Sequence, residues 1–149
     1  MTGDLGEIRA LVDAIALATD AGGWPDFLAC FTEDATADYG SLASGGVHEV
    51  AAAIRESQSR YQGTMNCVTS HLVQDDPAGP TGQTYVVSHH FRSEEGQAWD
   101  DCAGTLYRDR FVQTPGGWKI AERVATVLWF RQDPIQGGWL GPTNAAPGD

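Results

Sequence analysis

Apolar residues recur at helical spacing near the start of the chain: Leu5, Ile8, Leu11, Val12 and Ile15 predict a helix from Asp4 to Thr19. Asp4 and Glu7 have capping-box spacing, and Gly22-Gly23 suit the helix end. Trp24, Phe27, Leu28 and Phe31 form the apolar face of a short second helix, with Pro25 in its first turn. Thr32-Glu33-Asp34 reads as a turn, Ala35 to Tyr39 as a short strand and Gly40 to Gly46 as a loop. Val50 and Ile54 mark the inner face of a third helix from Val47 to Tyr61. Beyond it the period falls to two. Strands are expected over Thr64 to Gln74, Thr84 to Arg92, Trp99 to Gln113 and Trp118 to Arg131. The breakers between them are Asp75 to Gly82, Ser93 to Gly96 and Pro115-Gly116-Gly117.

Helices followed by strands predict an α+β fold. Three N-terminal helices would pack on a strongly curved antiparallel sheet, giving a cone-shaped α+β barrel that encloses a pocket. Small molecules favour such sites. Residues 1–132 would form this domain. Residues 133–149 would be a Pro/Gly-rich tail anchored chiefly by Ile135, Trp139 and Leu140.

Composition narrows the partners. A chain of 149 residues with 42% hydrophobic content suits one domain. Twenty acidic residues against nine basic ones give a net charge of −11, which repels nucleic acid and anionic membranes. No run of 18 apolar residues is present, and the first residues do not read as a secretory signal, so a cytoplasmic protein is expected. Cys30, Cys67 and Cys102 are too widely spaced for a zinc set and read as reduced thiols. His89 and His90 are adjacent on a strand and point to opposite faces, and no carboxylate has ligand spacing to them. No nucleotide-binding glycine motif and no G-x-S-x-G motif occurs. Neither a metal nor another cofactor is therefore expected.

Five separated segments carry a family likeness. They are Trp24-Pro25-Asp26, Phe31 through Asp38-Tyr39-Gly40, Thr69-Ser70-His71, Tyr107-Arg108-Asp109-Arg110 and Gly117-Trp118 through Glu122-Arg123. Over about residues 5 to 131 the chain resembles the SnoaL-like, scytalone dehydratase-like branch of the nuclear-transport-factor-2-like superfamily. That resemblance implies a catalytic Asp at Asp20, four residues before Trp24, and a pocket tyrosine at Tyr39. It implies a central histidine at His71 and polar pocket residues at Thr105 and Tyr107. Thr19 stands where scytalone dehydratase has a tyrosine, and the second pocket histidine has no clear counterpart. Thr19, Trp24 and His90 complete the expected substrate-binding set, with periodicity leaving open which of His89 and His90 faces the pocket.

The chemistry follows from residue type. A histidine titrates near neutral pH and can take a proton, while a carboxylate on its other nitrogen fixes the tautomer. Tyr39 could donate to a developing enolate. Each residue also has a plainer reading: His71 as a core histidine, Asp20 as a solvated turn residue, Tyr39 as packing. Arg123 could bind a substrate carboxylate or pair with Asp109 or Glu122. The expected function is cofactor-independent dehydration of a hydrophobic cyclic or aromatic oxygenated molecule through a His71–Asp20 dyad. The alternatives are a polyketide-type cyclase or isomerase with the same dyad, and a non-catalytic binding or structural subunit. Large residues on the last strands, one each of Leu106 or Tyr107 and Leu128 or Trp129, predict a homo-oligomer, dimer or trimer.

Overall fold

The computed structural model describes residues 4–136. Helix α1 spans Leu5–Ala21, α2 Trp24–Ala29 and α3 Val47–Gln58. The strands are β1 (Phe31–Asp38), β2 (Ser44–Gly46), β3 (Gly63–Gln74), β4 (Thr81–Glu94), β5 (Gln97–Thr114) and β6 (Gly117–Ile135). They form one open six-stranded sheet in the order β2-β1-β6-β5-β4-β3. The four long strands are antiparallel to one another, and β1 joins β6 in parallel.

The helices cover one face of this sheet. Ile8, Val12, Ile15 and Ala18 form the buried stripe of α1, at the three- and four-residue steps of a helix. Val47, Val50, Ala51 and Ile54 do the same for α3. They meet Phe27, Phe31, Phe111 and Ile120 in a single core. No described helix is long and apolar enough to cross a membrane.

Local departures from the sequence reading have physical causes. Asp4 occupies the N-cap of α1, but its side chain makes no capping bond. The helix runs past Thr19 to Ala21 and closes on Gly22, whose φ of 67° is easy only for glycine. Asp20 is therefore a last-turn helical residue rather than a turn residue. Thr32-Glu33-Asp34 is part of β1, not a turn. Phe31 pairs with Ile120 and Thr36 with Glu122, so the four residues from Thr32 to Ala35 stand against Ala121 alone. A bulge of that size gives polar residues the look of a turn. The loop from Gly40 to Gly46 contains the short β2. At the other end, Asp133, Pro134 and Ile135 extend β6 beyond residue 132, opposite Asp100, Trp99 and Ala98. Trp139 and Leu140 lie outside the described residues.

A second bulge governs the site. On β3, Val68 pairs with Val86 and His71 with Thr84, so Thr69 and Ser70 together oppose Tyr85. The extra residue resets the alternation. His71 consequently shares the helix-facing side with Thr64, Asn66 and Val68, not with Met65 and Cys67 as strict alternation predicts.

Candidate active site

Between α1, α3 and the inner face of the sheet lies a cavity of about 190 Å³. Val12, Ile15, Ile54, Val68 and Val86 supply much of its apolar wall, and its polar groups gather in two regions. Such a cavity, mostly apolar with a few placed polar groups, suits a small organic molecule.

The first region is built on β3, β4 and the start of β5. Asp20, at the end of α1, reaches across to β3. Its carboxylate accepts hydrogen bonds from Thr64 Oγ1 at 2.9 Å, the Asn66 backbone N–H at 2.9 Å and Asn66 Nδ2 at 2.6 Å. Asn66 Oδ1 accepts in turn from Ser88 Oγ at 2.6 Å. The two partners fix which end of the Asn66 amide is which. Thr19, Asn66 and Ser88 line the cavity; Asp20 stands just behind them, in a surface depression that also contains Thr19 and Thr64.

His90 is the neighbour of this network, directly opposite Thr64 on β4, and it lines the cavity. Its Nδ1 lies 2.9 Å from the backbone carbonyl of Asp101 on β5. A carbonyl only accepts, so the neutral ring carries its proton on Nδ1, and Nε2 keeps a lone pair. The Tyr61 ring packs on the imidazole, with centroids 5.0 Å apart. The Asp101 side chain is held too: it accepts from Tyr61 Oη at 3.1 Å, Arg92 Nε at 2.9 Å and Gln132 Nε2 at 3.1 Å. Burial alone would raise the Asp101 pKa, but the bonds from Arg92 and Tyr61 outweigh it and hold the carboxyl below its usual value.

The second region sits at the β1 side. Tyr39 and Tyr107 meet edge to face with centroids 5.8 Å apart, and Thr105 lies two residues before Tyr107 on β5. The Arg123 guanidinium is 4.4 Å from the Tyr107 ring centre and makes a two-pronged pair with Asp109 at 2.7 and 2.8 Å. Burial works against the Arg123 charge, but Asp109 more than restores it and raises the pKa well above its ordinary value. Burial, then the adjacent Tyr39 hydroxyl, raises the Tyr107 phenol, so it is a proton-bearing donor throughout the physiological range. Of the two partners considered for Arg123, Asp109 takes it; Glu122 pairs with Arg110.

His71 stands apart from both regions. It faces the helices but does not line the cavity. Its Nε2 is buried with no hydrogen-bond partner and packs near Gly82, where an added Cβ would lie 3.6 Å from that nitrogen and 2.6 Å from the Phe111 ring. Burial, then the Arg9 charge, lowers its pKa, with Asp109 and Asp13 acting the other way. Five residues of strand separate Asn66 from His71, on the order of 15 Å. The expected His71–Asp20 dyad is thus not brought together: Asp20 is bonded to Thr64 and Asn66. Trp24 is also misplaced by the sequence reading. It packs on Phe27 and opens onto surface grooves rather than the cavity.

The sequence reading passed over Asn66, Ser88 and Asp101. The alternate small polar residues Thr64 and Asn66, opposite His90 and Ser88, were the available signal. It also found no carboxylate at ligand spacing to the histidines. The β4–β5 register corrects that by setting Asp100 Oδ2 2.5 Å from His89 Nδ1.

Comparisons with known proteins bear on the family and the fold. A family model described as a SnoaL-like domain matches residues 2–124. The Kfla4162 protein of Kribbella flavida shares 22% identity at a TM-score of 0.74, over 87% of this chain and 94% of its own. A scytalone dehydratase assigned by similarity in Novosphingobium aromaticivorans shares 18% at 0.74, over 88% and 91%. A type 2 hexachlorocyclohexane dehydrochlorinase, LinA, shares 16% at 0.71, over 92% and 95%. No curated protein sequence matches.

Proposed function

The chain belongs to the SnoaL-like family, and from that premise we propose that it is a cofactor-independent lyase or isomerase acting on a hydrophobic, cyclic or aromatic oxygenated small molecule. Dehydration of a ring carrying a hydroxyl β to a carbonyl fits the cavity best. His90 Nε2 takes the proton from the carbon beside the carbonyl. The imidazolium then returns that proton to the departing hydroxyl, so water leaves and the double bond forms with no external reagent. Thr105 holds the carbonyl oxygen on the side facing His90, and Tyr39 and Tyr107 hold a second oxygen function at the far end of the ring. Thr19, Asn66 and Ser88 contact the substrate beside His90.

One observation carries the reading: a cavity-lining imidazole whose tautomer is fixed by a backbone carbonyl. A positioned base of this kind contributes about 10² to 10⁴ in rate. Similarity in fold to a dehydratase-like protein and to a dehydrochlorinase supports an elimination. Isomerisation begins with the same proton abstraction and is the nearest variant of the reading. His71 here is a packing residue, and Asp20 braces β3 against α1.

A binding protein without turnover is the second reading. Its support is that Asp20, Asn66 and Ser88 already satisfy one another. A panel of cyclic β-hydroxy ketones, followed by the absorbance of the conjugated product, separates the two. Turnover by the wild type that His90→Ala abolishes supports the enzyme. Ligands that bind with no product, at unchanged affinity in His90→Ala, support the binder.

We further propose a cytoplasmic homo-oligomer. Its three free thiols fit a reducing compartment. Tyr107 turns inward and Leu106 is buried as well, so of the expected outer-face residues Leu128 and Trp129 are exposed, at 53% and 40%. Light scattering at about 16 kDa across a concentration range would contradict the assembly.

A further inference from the structure

On the outer face of the sheet, opposite the cavity, three residues of different ligand type converge. His89 on β4 pairs directly with Cys102 on β5, and Asp100 lies two residues earlier on β5. A cross-strand pair and an i, i+2 step put all three side chains on one face. Their ligand atoms lie within 4.8 Å of one another. Cys102 is fully buried, and the His89 and Asp100 side chains are only 23% and 14% exposed. The Phe91 ring stacks on His89, with planes 9° apart, and limits how the imidazole can turn.

From this convergence we infer that His89, Asp100 and Cys102 form a three-residue site for a divalent transition-metal ion, zinc being the best match. Nitrogen, oxygen and sulfur donors together suit a borderline-soft ion with no fixed geometric demand. Bonds of about 2.0 to 2.3 Å in a tetrahedron set neighbouring ligand atoms roughly 3.3 to 3.8 Å apart. That lies inside the observed cluster, and His89 Nδ1 and Asp100 Oδ2, now 2.5 Å apart, need only separate by about an ångström. The fourth position is left for water. Metal binding replaces the thiol proton by the ion and releases that proton to solvent. His90 and Asp101 turn their side chains to the other face, while Asp100 Oδ1 also accepts the His90 backbone N–H at 3.2 Å. The site would clamp β4 to β5 behind them.

The test uses the full chain, stripped with a chelator and titrated with Co²⁺ as a spectroscopic probe. The wild type is expected to bind one ion, to show a thiolate-to-cobalt charge-transfer band and to lose that band on adding Zn²⁺. Cys102→Ser removes the band, while Cys30→Ser and Cys67→Ser keep it. His89→Gln and Asp100→Asn each weaken Zn²⁺ binding at least about 10-fold. Those two conservative variants decide the matter if Cys102→Ser fails to fold. A wild type with no thiolate band overturns the site. So does a band that survives Cys102→Ser, or unchanged Zn²⁺ affinity in both His89→Gln and Asp100→Asn.

Discussion

His71 and His90 lie on neighbouring strands and face the same side of the sheet, yet they live in opposite surroundings. His90 has one ring nitrogen tied to a carbonyl of β5 and its ring lines the cavity. His71 is packed near Gly82 with Nε2 unpartnered, its charge disfavoured by burial. Being buried does not equip an imidazole for proton transfer. The proposed base needs a fixed tautomer as well, and at His90 the strand register supplies that tautomer.

The largest expected effect is on turnover. His90→Ala should lower kcat about 10² to 10⁴-fold, while His71→Ala keeps a rate near that of the wild type and loses stability instead. The reverse pattern, measured on one substrate, breaks the comparison. Next comes the His71 end of the molecule, where Asp109 and Arg123 form a fully buried pair. Asp109→Ala leaves the guanidinium uncompensated and should cost about 3 to 5 kcal/mol in denaturant unfolding. A loss under 1 kcal/mol would mean that water reaches Arg123.

Asp20→Asn sharpens the contrast further. The carboxylate serves Thr64 and Asn66, so its loss should cost about 1 to 3 kcal/mol of stability and leave most of the rate. A catalytic collapse as deep as that of His90→Ala would restore Asp20 to the machinery. The smallest effect is a pH dependence. The folded pKa of His71 lies below its ordinary value, so folding favours the neutral ring. That contribution is present above the unfolded pKa of about 6.5 and is lost as pH falls through the folded value. His71→Gln should therefore lose less stability than the wild type as the pH drops below 6.5. Parallel curves would show that the imidazole does not feel its burial.

Local repeats were legible in the sequence and long-range contacts were not. The stripe Ile8, Val12 and Ile15 and the period-two strands were legible because each is a local repeat tied to burial. Tyr39, Thr105 and Tyr107 were legible through the family spacing, and they do line the cavity. The dyad was not, because a two-residue bulge at Thr69-Ser70 has no sequence signature and sets the place of His71. Asn66 escaped notice because an asparagine on a strand looks neutral until the end of α1 lands on it. The tautomer of His90 depends on the Asp101 carbonyl eleven residues away, a contact that only the β4–β5 register makes visible.

That tautomer is the most direct test. In ¹⁵N-labelled protein above pH 7, two-bond nitrogen–proton correlation of the imidazoles reads it for each histidine. His90 should show a protonated Nδ1 and a pyridine-like Nε2, with Nε2 shifting when a cavity ligand binds. A protonated Nε2 at His90, or an Nε2 indifferent to ligand, would contradict its role as the base.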